Sequence, residues 1–300
     1  MQIIFTLLVL LVILTAGITS RIFNILEKND TKSLSAYVFY YALPSLFIVR
    51  ISEIDIWNID LRIILIAALP IIFLLFFLFI LRIFNILEKN NFILLSLSVG
   101  YGSTTFFGIP FFQYMFGDKG IDFIVMISAL LSPIGIITSI LLFEYATHTK
   151  QGQSLWLKFI KNPLIISISL GIAFALAQIK IDFFLEALSF LGETTGPIAI
   201  FILGMFVYDN FSSKIFKKAL PYALFRIISF PLVMYGILWI LGDSFIEFNK
   251  MLLLQSGIPA ATALAVFAER YNYKKKTISG IVIITSMASF VVLWILFYLL

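Results

Sequence analysis

Two copies of one tripeptide, Gly108-Ile109-Pro110 and Gly257-Ile258-Pro259, interrupt otherwise apolar stretches of this chain. Proline removes one main-chain donor and its ring blocks a second helical bond, so carbonyls of the turn before it and amides of the turn after it lose their partners. At bilayer depth such groups are tolerated where they line a cavity or cross another segment, and there they can replace a solute's hydration shell. Polar side chains collect around both breaks. Ser98, Ser103, Thr104 and Thr105 precede the first and Gln113 follows it; Gln255 and Ser256 precede the second and Thr262 follows it. Each small hydroxyl serves equally well as glue between helices, and Ser103, Gln113 and Gln255 are the best individual candidates for contact with a ligand. Arg226 is the one charge expected well inside an apolar run, where insertion costs ~2.5 to 3.5 kcal/mol without a partner. It must snorkel to a membrane face or meet an anion such as a substrate carboxylate.

Other chemistries are excluded by what the chain lacks. It has no cysteine and one histidine, His148, which rules out disulfides, thiolate metal sites and clusters of histidine ligands. No phosphate-binding loop is present, so ATP cannot drive a process from this chain. No pair of intramembrane carboxylates offers an acid and a base, Glu144 and Glu193 fall near the ends of apolar runs, and neither an enzyme nor a bound cofactor is expected.

The elements that must position these residues follow from composition. Of 300 residues 61% are hydrophobic and 12% charged, about half the charged fraction of a soluble domain. Runs long enough to cross the ~30 Å hydrocarbon core fall near 3–20, 34–51, 62–82, 92–116, 121–143, 163–180, 195–211, 220–241, 248–268 and 277–299. Ten spans with short connections fill the chain as a single membrane domain, 1–300. The first run lacks a basic leader and is expected to stay as a span, not to be cleaved as a signal peptide. The net charge of +5 reflects loops, not affinity for nucleic acid. Lys and Arg are in about threefold excess in one alternating set of connections, including Arg21, Lys28, Arg82, Lys150, Lys158, Lys161, Lys214 and Lys274, over Arg50, Arg62, Lys119, Lys180 and Lys250 in the other. Both termini are therefore expected on the extracytoplasmic side of the cell membrane.

Pro44 is matched by Pro197, and Pro110 by Pro259, each about 150 residues later. An odd number of spans per copy inverts the second copy, giving two inverted five-helix repeats, about 1–145 and 155–300, with broken helices 4 and 9 crossing. The expected fold is thus all-α, integral to the membrane, and the architecture points to a secondary transporter. A second repeat is local: Arg21-Ile-Phe-Asn-Ile-Leu-Glu-Lys-Asn29 recurs unchanged as Arg82-Ile-Phe-Asn-Ile-Leu-Glu-Lys-Asn90.

Several segments carry a family likeness in their order and spacing: Ala42-Leu-Pro-Ser45; Gly108-Ile-Pro110 with Met115-Phe-Gly117; Gly196-Pro-Ile-Ala-Ile-Phe-Ile-Leu-Gly-Met205; Arg226-Ile-Ile-Ser-Phe-Pro231; and Pro259 with Val266-Phe-Ala-Glu-Arg-Tyr-Asn272. Over nearly its whole length the chain resembles the auxin efflux carrier family, plant carriers and prokaryotic permeases together. The resemblance implies spans 1, 2, 6 and 7 as a scaffold and spans 3–5 and 8–10 as a mobile transport unit, in a bile-acid-symporter-like fold. It implies a small organic anion, a carboxylate, as substrate, bound between scaffold and crossover and carried by an elevator-like shift. Ser45 joins the candidate substrate contacts on this ground. Ser103 stands where the plant pattern has Asn, and Ala260-Ala261 where it has Gln-Gly, which weakens auxin itself as the substrate. The short connection between spans 5 and 6 fits a prokaryotic-type permease. The partners expected are the organic anion, the lipid bilayer and a second copy in a homodimer. The rivals are a sodium-coupled organic-anion symporter and a membrane receptor that binds without transport.

Overall fold

Residues 2–53, 61–147, 163–178, 181–210, 212–242 and 246–299 are described by a computed structural model. His148, Lys150, Lys158, Lys161 and Lys180, and with them the connection between spans 5 and 6, lie outside the described residues. The chain runs through α1 (Gln2–Ile22), α2 (Lys28–Tyr37), a π-helical turn (Val38–Ala42), α3 (Leu43–Ser52), α4 (Leu61–Ile83) and α5 (Lys89–Gly100). A second π turn (Thr104–Gly108) leads into α6 (Ile109–Thr147), followed by α7 (Pro163–Ala177), α8 (Asp182–Glu193) and α9 (Thr195–Asn210). The last elements are α10 (Ser213–Leu241), α11 (Ile246–Ser256), α12 (Ala263–Arg270) and α13 (Lys275–Leu299). Among the described residues the only strand-like pairing is an isolated antiparallel bridge between Gly102 and Ala260.

Each expected apolar run contains helix among the described residues, but the runs do not all survive as separate long helices. Seven described helices are long and apolar enough to cross a membrane, and α7 is a shorter apolar helix. The shortfall from ten has local causes. Span 4 is split at Tyr101–Ser103 and its second part continues into span 5 as α6, bent only where Gly117 takes a positive φ of 63°. Span 9 is divided between α11 and α12, neither of which is long enough alone. Helix α8, with its apolar Phe183, Leu185 and Phe190, falls between two expected spans and was not foreseen.

Two compact units are woven from alternating parts of the chain. Unit 1 holds residues 1–60, 105–130 and 152–209; unit 2 holds 61–104, 131–151 and 210–300. In unit 1, α1 and α9 approach closely because Gly17 and Gly204 have no side chains: a Cβ on Gly204 would stand 2.0 Å from the Leu14 carbonyl oxygen, and one on Gly17 2.1 Å from that of Phe201. Small residues that let backbones touch are how helices gain packing in lipid, where no hydrophobic drive separates them from their solvent. The same pair of helices is tied by Arg21, which donates through Nε and Nη2 to Asp209 Oδ1 at 3.0 and 2.8 Å. In unit 2, α4 is apolar all round, burying Ala67, Leu74 and Leu78 while Leu65, Ile72 and Phe76 face outward. A helix with both faces apolar suits a position between protein and hydrocarbon.

The duplicated nonapeptide builds the same helix end twice. Asn24 and Asn85 take left-handed φ values of 52° and 55°, the Ile25 amide donates to the Ser20 carbonyl, and the Ile86 amide to that of Leu81. That is a Schellman-type cap, for which Asn is the commonest substitute for Gly. Arg21 then donates through Nη1 to the Leu26 carbonyl, as Arg82 does to that of Leu87 at 3.2 Å. Ile22, Phe23 and Ile25 in one copy, and Ile83, Phe84 and Ile86 in the other, are left exposed.

Candidate functional site

Unit 2 contains both interruptions, and they pair with each other. Helix α5 ends at Gly100, and Tyr101, Gly102 and Ser103 run extended; α11 ends at Ser256, and residues 257–262 are non-helical. The Ser103 amide donates to the Pro259 carbonyl at 2.8 Å, and the Ala261 amide to the Tyr101 carbonyl at 2.9 Å. These two bonds flank the Gly102–Ala260 bridge and satisfy groups that the broken helices leave open. The Ala260 amide donates to Thr285 Oγ1 on α13 at 3.2 Å, and that hydroxyl passes its own proton back to the Ile281 carbonyl at 2.8 Å. Almost every polar group at the crossing thus has a partner inside the protein.

Arg226, on α10, satisfies three more carbonyls there, while its own Nε is buried without a hydrogen-bond partner. Its Nη1 donates to the carbonyls of Ser98 (3.3 Å) and Val99 (2.9 Å) in the last turn of α5, and its Nη2 to that of Ile258 (3.0 Å) just beyond α11. The residue is 2% exposed, and the Phe230 ring lies under the guanidinium carbon, 4.2 Å from ring centroid to Cζ. So it neither reaches a membrane face nor stands open; it binds the carbonyl ends of both half-helices at once. Gly102 makes room for it, since a Cβ there would lie 3.0 Å from Nη2. Gly135 makes room for the Tyr101 ring in the same way, at 2.3 Å from Cδ2.

The two Gly-Ile-Pro tripeptides do different things. Ile258 and Pro259 lie within the second interruption. Gly108 instead closes a π turn, and Ile109 and Pro110 carry the same helical run on into α6; Pro110 has no amide to give to that run, and the wider π turn before it is the kind of local adjustment that accommodates a proline in a spanning helix. The first interruption falls before the tripeptide, at Tyr101–Ser103. Within unit 1, Pro110 and Gln113 pack on Gly196, whose Cβ would stand 3.3 Å from Pro110 Cβ and 3.5 Å from Gln113 Oε1. Thr105, Gly108, Ile109, Pro110, Gln113 and Ser45 belong to unit 1; Ser103, Thr104, Gln255, Ser256, Gly257, Ile258, Pro259, Thr262 and Arg226 belong to unit 2.

Among the candidates, Ser256 donates to the Leu253 carbonyl and Ser98 to that of Leu95, local bonds within their own helices. Gln255 differs: it is 2% exposed and its Oε1 has no hydrogen-bond partner, as is also true of Ser286 Oγ on α13. Buried polar atoms without partners are costly, so both are places where a ligand could gain a bond. Sequence reasoning missed Thr285, Ser286, Tyr101 and Phe230. The run Thr285-Ser286 with Ser289, three hydroxyls in an apolar span, is a signal that could have been read.

A family model described as a membrane transport protein matches residues 2–298. The chain belongs to that family. It is the auxin efflux carrier family that the motifs resemble. A protein of Methanocaldococcus jannaschii, named as an uncharacterized transporter, is 26% identical over 313 residues, covering 96% of this chain and 97% of that protein. This member of the family is a multi-pass membrane transport protein, not an enzyme.

Proposed function

We propose that the protein moves a small organic anion, a carboxylate, across the cell membrane, as efflux or exchange, by an elevator-like displacement. In this reading ten spans form two inverted halves, with both termini extracytoplasmic and spans 3–5 and 8–10 forming the mobile part, and two copies associate as a homodimer. The observation that carries it is the crossing of two interrupted helices, paired main chain to main chain and joined by Arg226. Half-helices broken at bilayer depth recur at the binding sites of secondary transporters, and within unit 2 helix α12 starts directly after the second interruption, with the positive end of its dipole there, which favours an anion. The division of the chain supports a scaffold and a mobile part, because spans 1, 2, 6 and 7 fall in one unit and spans 3, 8, 9 and 10 in the other. Residues 105–130, from spans 4 and 5, group with the first unit.

Energy for export is at hand: an interior-negative membrane contributes ~2.3 kcal/mol per charge per 100 mV to outward movement of an anion. The test is a thermal-shift series on the purified protein with monocarboxylates, dicarboxylates and neutral analogues, followed by flux in proteoliposomes at set voltage. A carboxylate that raises Tm in a saturable way, and whose flux follows voltage, is expected. A ligand that binds without any flux would make the protein a receptor.

A further inference from the structure

The carbonyl ends of two helices meeting inside a membrane form a surface made for a cation. Each end carries about half a negative charge and a set of unpaired oxygens, and oxygen ligands of this kind are what hard cations seek. In unit 2 three main-chain oxygens at this meeting point are already taken. Ser98 and Val99 at the end of α5, and Ile258 beyond α11, accept the three hydrogen bonds that Arg226 donates. Two helix ends sum to roughly one negative charge, and one guanidinium balances it. Arg226 forms none of the ion pairs found among the described residues, so its charge is directed at main-chain dipoles and not at a carboxylate. Phe230 covers it and Gly102 leaves it space, so the cation is enclosed as well as bound. Among the described residues no group of three or more His, Asp or Glu side chains offers an alternative metal site.

We propose that the Arg226 guanidinium is a built-in cation occupying the position that a coupling cation would otherwise have to fill, so that anion passage at this crossover consumes no monovalent cation. This rests on the proposed function, since it concerns how that same crossover is energised. It assigns Arg226 a positioning role: it holds the ends of α5 and α11 together and does not touch the transported anion. A sodium-coupled mechanism would require the three carbonyls to be vacated first.

The experiment uses the full-length protein in detergent, without any organic anion, and follows Tm in NaCl, KCl and choline chloride at equal ionic strength. The wild type is expected to melt at the same temperature in all three. Arg226→Ala is expected to lower Tm by roughly 5 to 10 °C and to regain much of it, saturably, with millimolar guanidinium. Arg226→Met, which fills the space without a charge, is expected to show no such recovery. Loss of packing alone would leave Arg226→Ala as indifferent to guanidinium as Arg226→Met, and that result overturns the proposal. A sodium-specific, saturable rise in wild-type Tm overturns it too, and needs no variant to fold. Anion binding is measured separately: a protein indifferent to cations that binds no carboxylate contradicts the proposed function and leaves the assignment of Arg226 supported.

Discussion

Gly102 and Arg226 constrain each other. The guanidinium is held by three carbonyls and a ring, so it cannot yield to a methyl group placed 3.0 Å from Nη2. Gly102→Ala is therefore expected to destabilise the protein by ~1 to 3 kcal/mol, the usual cost of overpacking, seen as a lower Tm of the purified protein. Alanine at Gly236, where a Cβ would meet nothing within 4 Å, is the control and should leave Tm nearly unchanged. The presence of an important buried charge was legible at Arg226, because a lone Arg in an apolar run needs a partner. Its partners were not legible, since main-chain carbonyls carry no signature in a sequence. Ser103 presents a similar case: its type drew attention as a hydroxyl, yet what ties it to the crossing is its amide, which any residue but proline would supply.

At the scale of elements, the helix ends made by the duplicated nonapeptide have an energetic test. Asn85 sits at φ 55°, a conformation costing most residues about 1 kcal/mol or more and glycine nothing. Asn85→Ala is expected to lower stability by about 1 kcal/mol and Asn85→Gly to leave it equal or slightly higher, measured by thermal melting; equal effects of the two would contradict the cap. Several element ends were legible to within a few residues, as in α1, α4 and α13, because apolar runs bounded by charged or polar residues give a strong contrast; the ends expected at 116 and 121 vanish inside α6. Where the first break falls was not legible. Pro110 drew the eye, but the helix runs through it, with the π turn Thr104–Gly108 just before it accommodating the missing amide. The break lies at Tyr101–Ser103 because those residues pair with Pro259 and Ala261, a contact between distant parts of the chain that local pattern cannot register. Helix α8 escaped notice for the opposite reason: twelve residues with three acidic side chains and a glycine look like a connection when only long apolar runs are sought.

For the whole molecule, composition alone was enough to place the chain in a membrane, and proline spacing was enough to expect two related halves. The expectation of ten spans met seven long apolar helices among the described residues because continuity and interruption, not hydrophobicity, decide how a run is divided. One pairing of distant parts of the chain is that of residues near 102 with residues near 260, and the chain's lack of cysteine allows that pairing to be tested without background. Residues 101 and 261 stand opposite each other in an antiparallel bridge, ~5.5 Å apart at Cα, within the range that a disulfide spans. The double variant Tyr101→Cys with Ala261→Cys, oxidised in the membrane and then treated with an alkylating reagent, is read by intact mass. A mass with no alkyl groups added, restored to two after reduction, is the result expected from crossed interruptions. Two alkylated thiols without reduction would mean that the breaks lie apart, and the crossover would be contradicted.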